Sequence, residues 1–421
     1  MPLLHPFRGY RFSERVPSLA DIVTQPYDKI TPEQRGLYRA RSPFNAAHII
    51  SNPDYAEAGQ KLANWIQEGL LVQDSEPGFY IYRQQFQVGS ARLERTGVIG
   101  LLDLGSDSAT VLRHERVMDA PLQDRLQLMT ATESNDGLIF MLLEDAEAKL
   151  ESALQAAIGG RAPVAEVRDE LEVLNQLWRL DQPEAIESLQ FQLADETSYI
   201  ADGHHRFETA IRYSKSCWSR NWKPGAAESF DKRMIALFSS RSEGVVILPT
   251  HRAIRGLPSE VASNLIKQLK IGFDVTEKPS SEDLVEAMKG KPGHLGLLLG
   301  PRPNALLLRD RRARSSLPED LTSTGRELDV NLLHRGILEP LLGIGEPELA
   351  SQQHVDYHRE YRDLLPTLKS GHYQMAFLLN PTSVDQVRRV SRELGRMPQK
   401  STDFFPKLLT GLVFMKMEID R

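Results

Sequence analysis

Ser198-Tyr199-Ile200-Ala201-Asp202-Gly203-His204-His205-Arg206-Phe207-Glu208-Thr209-Ala210-Ile211 is the stretch on which the reading of this chain turns. Ser198-Tyr199-Ile200 is a β-rich run and Asp202-Gly203 a tight turn. Phe207, Ala210, Ile211 and Ser214 then recur at the i, i+3, i+4, i+7 spacing of a helix with one buried face. Strand, turn and helix in that order leave the helix N-terminus at a sheet edge. Backbone N–H groups and the macrodipole make such an end partly positive, and His204, His205 and Arg206 add side-chain donors there. Phosphate suits that chemistry. Gly203 permits a positive φ or a close backbone approach, while Asp202 suits fixing a histidine tautomer, holding Mg2+ or orienting a hydroxyl. The plain alternative is a turn whose polar residues cap a helix and touch no ligand.

Working outward, Trp178-Arg179-Leu180, Met234 to Phe238 and Val245 to Leu248 read as strands, the last two joined as a hairpin through Arg241-Ser242-Glu243-Gly244. Upstream, Phe79 to Tyr82 and Thr96 to Leu102 flank a polar turn at Gly89-Ser90-Ala91 and predict another hairpin. Leu138 to Leu143, punctuated by Asp136-Gly137, predicts a buried strand, and Glu147 to Ile158 a helix. Residues 1–75 are loop-rich and then helical, with Thr31-Pro32-Glu33 as N-cap and N1 proline, and Leu62, Trp65 and Ile66 at helical spacing. Beyond Pro258 come a helix and a hairpin of Leu297 to Leu299 with Ala305 to Leu308 through Pro301-Arg302-Pro303-Asn304. Helices at Asp329 to Glu339 and Tyr357 to Leu365, and strands at Tyr373 to Leu379 and Leu412 to Met417, complete the order.

Hairpins outnumber βαβ alternation and the G-x-G-x-x-G fingerprint is absent, so the expected fold class is α+β, with mixed sheets, hairpins and flanking helices around the strand-turn-helix at 198–214. A break at Gly159-Gly160-Arg161-Ala162-Pro163 suggests three domains, residues 1–160, 161–260 and 261–421.

At 421 residues with 41% hydrophobic content, the chain can bury a sizeable core. Its formal charge of −6 supplies no cationic field for a nucleic-acid backbone, which argues against that partner. The single cysteine, Cys217, allows neither an internal disulfide nor a multi-cysteine zinc site. Met1 to Tyr10 holds no apolar signal core, and runs such as Leu138 to Leu143 fall far short of the roughly 20 residues a membrane helix requires. A cytoplasmic location with no membrane partner is expected.

Four further constellations carry chemistry. Arg113-His114-Glu115-Arg116 sets an acid/base pair beside two guanidinium groups, and makes Glu115 a candidate general base; as a charge run it has a solvated reading too. Val23-Thr24-Gln25-Pro26-Tyr27-Asp28 is a proline-fixed turn whose Tyr27 and Asp28, with Asn45, are candidates for a site mouth. Gly395 to Thr402 is no P-loop, since the glycine before Lys400 is missing, yet Lys400, Ser401, Thr402 and Lys407 can donate to a phosphate. His354 and His358 share a face if helical, but Val355 stands where a zinc protease needs Glu.

The run Asp202 to Arg206, together with Pro26-Tyr27-Asp28, His114-Glu115, Leu248-Pro249-Thr250-His251-Arg252 and Met397-Pro398-Gln399-Lys400-Ser401-Thr402, resembles the domain-of-unknown-function family 1015 over nearly the full chain. More distantly, the core motif is similar to the ParB/sulfiredoxin superfamily, whose members include nucleotide-binding ParB proteins, sulfiredoxin with a Gly-Cys-His-Arg phosphate loop, and an ADP-dependent serine kinase with an Asp-Gly-His turn. By that likeness Gly203, His205 and Arg206 match the phosphate-contacting part of the sulfiredoxin loop. His204 stands where sulfiredoxin has its cysteine, which disfavours sulfiredoxin activity, and Asp202, Gly203 and His204 match the kinase turn.

The resulting functional expectation is a nucleotide- or phosphate-binding enzyme of phosphoryl transfer or hydrolysis, with ATP or ADP and Mg2+ as cofactors and serine or phosphoserine as small-molecule substrate. Asp202, His204 and Glu115 are its catalytic candidates, and Asp202 also its metal ligand. Gly203, His205, Arg206, His114, Lys400 and Ser401 are its cofactor-binding candidates. A non-catalytic nucleotide-binding module and a metal-dependent phosphoester hydrolase are the alternatives.

Overall fold

The computed structural model describes residues 4–16, 18–105, 111–115, 117, 119–194, 196–301 and 304–421. Arg116 and two residues of the expected turn at 301–304 lie outside the described residues. The chain forms two compact units: one of residues 1–112, 117–245 and 406–421, the other of residues 113–116 and 246–405. The three segments expected from the sequence are redistributed, because strands on both sides of residue 160 hydrogen-bond into one sheet.

The first unit is built on seven strands: β1 (Phe79–Val88), β2 (Ala91–Asp103), β3 (Ile139–Leu143), β4 (Ala165–Arg168), β5 (Leu174–Leu180), β6 (Ser198–Asp202) and β7 (Lys232–Ser239). Their order is β4-β5-β1-β2-β7-β3-β6, antiparallel throughout except for β3 beside β7. β1 and β2 form the expected hairpin, closed where Gly89 takes φ +59°, a backbone region glycine enters without steric cost. β3 is buried at every position, as an apolar run covered on both faces must be.

Helices α1 (Pro32–Arg41), α2 (Tyr55–Gln67), α3 (Asp119–Thr132), α4 (Leu150–Ile158) and α5 (His204–Ser219) accompany this sheet. α1 starts at the expected Thr31 cap, which exchanges hydrogen bonds with Gln34. α2 buries Leu62 and Trp65 among Ile22, Ile49 and Phe414.

The second unit carries an all-antiparallel six-stranded sheet of β8 (His251–Ile254), β9 (Phe273–Lys278), β10 (His294–Leu299), β11 (Asn304–Asp310), β12 (Val355–His358) and β13 (Met375–Leu378), ordered β9-β11-β10-β13-β8-β12. Alternation along its strands fills two cores. Ile254, Leu297 and Phe377 meet Leu265 and Leu269 of α6 (Ser259–Gly272) on one face, while Ala253, Leu298, Ala376 and Leu378 meet Leu284 of α7 (Ser281–Met288) and Leu364 of α8 (Tyr361–Lys369) on the other.

Mixed sheets with hairpins and flanking helices make this an α+β protein. Three local expectations change. Met234 to Phe238 and Val246 to Leu248 do not form a hairpin: β7 is already paired on both edges by β2 and β3, and Val246–Leu248 pairs with Asp403–Phe405. The helix expected from Tyr357 starts at Tyr361, because Val355–His358 is taken up as a sheet-edge strand on β8, which also removes the shared helical face of His354 and His358. The helix expected over Asp329 to Glu339 changes to a π turn at His334–Leu338 before Glu339–Leu342 continues it.

In the second unit His251 is 5% exposed and its Nδ1 accepts the backbone N–H of Leu379 at 3.3 Å. Burial, reinforced by the charge of Arg252, lowers its pKa from 6.5 to about 3, and fully buried His334 shifts the same way. The unfolded chain therefore binds the extra proton between these values, and stability falls on acidification from pH 6.5 towards 3. Each such histidine contributes a slope of roughly 1.4 kcal/mol per pH unit at most. Urea titrations across that window are expected to show this loss, with a shallower slope in His251→Gln; an unchanged slope in the variant would assign the acid lability elsewhere.

Candidate functional site

β6 delivers the turn. Its register against β3 shifts between Phe140 and Met141, so that Phe140 faces Asp202 while Met141 faces Ile200. Such an irregularity re-aims the side chain that follows it. Gly203 then takes φ +101° and serves as N-cap of α5, whose buried face carries Phe207, Ala210, Ile211 and Ser214, as the spacing predicts. A Cβ on Gly203 would stand 3.2 Å from both Cζ and Nη2 of Arg206, so this position needs glycine for its backbone angle and for its neighbour.

The Arg206 guanidinium lies inward, over Gly203. It is 8% exposed, donates to the Leu138 carbonyl, and comes within 3.9 Å of Asp202. Lys407, buried, places Nζ 2.9 Å from Oδ2 of Asp202. Burial alone would push the Asp202 carboxyl up, but Lys407, Arg206 and Lys29 together hold it well below the usual carboxylate range. The Asp202 side chain stays 23% exposed, so an ionised acceptor held by two cations still meets solvent.

Lys407 is positioned by a buried polar network that the sequence reading missed. Gln84 donates to the Lys407 carbonyl at 3.0 Å and to Oδ1 of Asn175 at 2.9 Å, and Leu409 N donates to the Tyr82 hydroxyl at 3.3 Å. Arg95, fully buried, holds Oε1 of Gln84 and the Pro406 carbonyl, its guanidinium 4.6 Å from the centre of the Phe140 ring. Burial lowers the pKa of Arg95 to about 9. A long polar side chain at a strand position was the available signal, since Gln84 and Arg95 sit among residues that otherwise alternate with the core.

The Pro26-Tyr27-Asp28 motif belongs to the same surroundings. Arg125 of α3 stacks on the Tyr27 ring, 4.0 Å from its centre, and bonds Asp124 at 2.7 Å and the Ile50 carbonyl at 2.6 Å. Burial, then the charge of Asp28, raises the Tyr27 hydroxyl to about 12, against the lowering influence of Arg206 and Arg125. Asn45 is fully buried and holds the Asp21 carbonyl and the Ala47 N–H, a structural task in place of the site-mouth role.

His204 is 4% exposed, whereas His205 is partly exposed. The remaining candidates lie in the second unit. Met397 N donates to the His114 carbonyl at 2.7 Å, Glu115 bridges Met397 in parallel, and His114 Nε2 is 3.3 Å from the Thr402 hydroxyl. Ser401 donates to the Pro398 carbonyl, and the Lys400 carbonyl accepts from Arg252 at 3.1 Å. The His114-Glu115, Thr250-His251-Arg252 and Met397–Thr402 motifs thus gather in one unit, and Pro26–Asp28 with Asp202–Arg206 in the other. Among the described residues no three or more His, Cys, Asp or Glu side chains converge as a metal site. No helix of the described residues is long and apolar enough to cross a membrane.

The model of the family described as "Protein of unknown function (DUF1015)" matches residues 4–331. The chain belongs to this family. No curated protein matches it. Among solved structures, a conserved hypothetical protein from Pyrococcus furiosus is similar at 12% identity and TM-score 0.36, covering 73% of this chain and 90% of that one. A free serine kinase in complex with ADP is similar at 12% identity and TM-score 0.39, covering 73% and 87%. SbnI from Staphylococcus aureus, with a C-terminal truncation, is similar at 9% identity and TM-score 0.36, covering 74% and 85%.

For this DUF1015 chain, Gly203→Ala is expected to destabilise by roughly 1–3 kcal/mol, since the substitution forces a non-glycine residue into a left-handed angle against a buried guanidinium. Urea midpoints of wild type and variant measure it; an unchanged midpoint would mean that the turn relaxes freely.

Proposed function

We propose that the chain is a nucleotide-binding phosphotransferase centred on the Asp202–Arg206 turn, acting on a small hydroxylated metabolite of the serine or phosphoserine class. The observation that supports it most directly is the Asp202 carboxylate, kept ionised by Lys407 and Arg206 yet reachable from solvent, at the start of a 16-residue helix. The likeness of Asp202-Gly203-His204 to the turn of an ADP-dependent serine kinase supplies the acceptor class.

In this reading ATP or ADP sets its terminal phosphates at the first turn of α5 and on His205. Asp202 accepts a hydrogen bond from the acceptor hydroxyl and orients it as the new oxygen–phosphorus bond forms and the bond from phosphorus to the leaving nucleotide oxygen breaks; held too acidic to act as a base, it leaves the hydroxyl proton to pass to the transferred phosphoryl oxygens and on to solvent. Lys407 and Arg206 offset the charge gathering around Asp202 from positions already held by the fold. Transfer in the opposite direction uses the same groups. Oδ2 of Asp202 is engaged by Lys407, and a divalent cation there would meet two positive side chains, so the Asp202 donor set does not fit a Mg2+ ligand and no step is routed through one. His204 is buried, and Glu115, His114, Lys400 and Ser401 belong to the second unit; none is assigned a step.

Calorimetric titration of ATP, ADP and CTP with Mg2+ in phosphate-free buffer, into wild type, Arg206→Ala and Asp202→Asn, tests this. ATP or ADP is expected to bind wild type and to weaken about tenfold or more in Arg206→Ala. Asp202→Asn is expected to retain nucleotide while transfer to serine falls by about a hundredfold or more. Absence of nucleotide binding by wild type would remove the reading, and binding without transfer in either direction would leave a non-catalytic nucleotide module.

A further inference from the structure

The Met397 to Thr402 segment of the second unit has no part in the chemistry at Asp202. Pro398 to Ser401 is a four-residue turn closed by the Ser401 hydroxyl, which donates to the Pro398 carbonyl. Lys400, at its third position, takes φ +57°, a left-handed angle uncommon outside glycine. The carbonyls of the turn are engaged: that of Lys400 accepts from Nη2 of Arg252 at 3.1 Å, and that of Ser401 from the Thr382 hydroxyl at 3.0 Å. The N–H groups are not. Those of Gln399, Lys400 and Ser401 donate to no described residue, although Ser401 is only 7% exposed, and the Lys400 ammonium forms no ion pair with a described residue. Buried N–H groups rarely go unmet, and successive N–H groups around a left-handed residue form a concavity that takes anions.

The charge behind the turn has the matching sign. Arg252 of β8 is 1% exposed and donates to neutral acceptors, the Thr250 and Lys400 carbonyls and Nε2 of His334 at 3.2 Å, while no described carboxylate acts on it. Because a guanidinium only donates, His334 Nε2 is the bare ring nitrogen and Nδ1 carries the proton, yet that buried Nδ1 has no partner. Buried positive charge without a counter-charge is costly, and here it lies directly against the Lys400 carbonyl of a turn whose N–H groups are open. We propose that the Pro398–Ser401 turn binds a phosphate group, its oxygens on the Gln399, Lys400 and Ser401 N–H groups and the Lys400 ammonium, with Arg252 supplying counter-charge from beneath. A carboxylate suits the turn less well, since its two oxygens in one plane meet fewer diverging donors than the oxygens of a tetrahedral phosphate. The site is complete within the second unit and does not rest on the phosphotransferase reading of Asp202.

Crystals of the full chain soaked in sodium tungstate, a tetrahedral oxyanion with a strong anomalous signal, are expected to show a tungsten peak within hydrogen-bonding reach of the Gln399, Lys400 and Ser401 N–H groups; no peak at that turn would overturn the proposal. In solution, inorganic phosphate is titrated by calorimetry into Arg206→Ala, so that the Asp202–Arg206 turn does not mask the second site, with the fold of each variant checked by circular dichroism. Phosphate is expected to bind, and to weaken about tenfold or more when Lys400→Gly is added, since glycine keeps the left-handed angle and the N–H while removing the ammonium. Gln399→Pro leaves the charge unchanged and removes one N–H at a turn position that accepts proline; it is expected to weaken phosphate by about tenfold. No phosphate binding in Arg206→Ala, or full binding after Lys400→Gly, would overturn the proposal, as would loss in Lys400→Gly with full binding in Gln399→Pro, which would reduce the site to a surface lysine. O-phospho-L-serine and ADP, titrated in the same background, separate the sources: tighter binding than inorganic phosphate assigns an ester, equal or weaker binding the free ion, and either upholds the site. If Arg206→Ala does not fold, the tungstate peak in wild type decides.

Discussion

The pair formed by Asp202 and Lys407 is the constraint around which the first unit is arranged. A carboxylate leaving a buried strand tends towards its neutral form as water is withdrawn, and only opposite charge at close range reverses that tendency. Lys407 provides it at 2.9 Å, from a residue 205 positions away in sequence. The Gln84, Asn175, Tyr82 and Arg95 side chains fix residues 406 to 409 on the sheet, so the ammonium does not wander. Apolar residues at those strand positions would pack without desolvating any dipole, but they would not hold a backbone strap at one register.

In the second unit the organising principle is the period of two. Ala253 and Ile254, Leu297 and Leu298, or Ala376 and Phe377 send alternate side chains to opposite cores, and the helices that close those cores leave loops at the strand ends. One of those loops, Met397 to Thr402, is stitched to His114 and Glu115, which belong to this unit. Motifs that stand far apart in sequence thereby share a locale. Buried His251 and His334 are kept neutral within the same unit.

Where local rules decide the outcome, the sequence was readable. The Thr31 cap, the Gly89 hairpin, the apolar run before Leu143 and the strand-turn-helix at Asp202 all follow from nearest-neighbour chemistry, and the α+β class follows from their order. Pairing partners were less legible. Val246–Leu248 has the composition of a hairpin arm, but both edges of β7 were already occupied and the strand went to Asp403–Phe405. Of the site, the turn and the Pro26–Asp28 motif could be named in advance, whereas the full burial of Arg95 and of Arg233 could not. Each is a single charged residue at a strand position, and only tertiary burial distinguishes it from a surface charge.

The first unit is discontinuous: its chain departs after residue 245 and resumes at 406. On a ribosome, therefore, Asp202 emerges well before the lysine that stabilises it, and every strand of the seven-stranded sheet has been made before the strap that completes it. An arrested polypeptide ending anywhere in the second unit would carry the turn with its carboxylate lacking that counter-charge. The charge pattern around Asp202 is therefore complete only once the intervening residues have been synthesised.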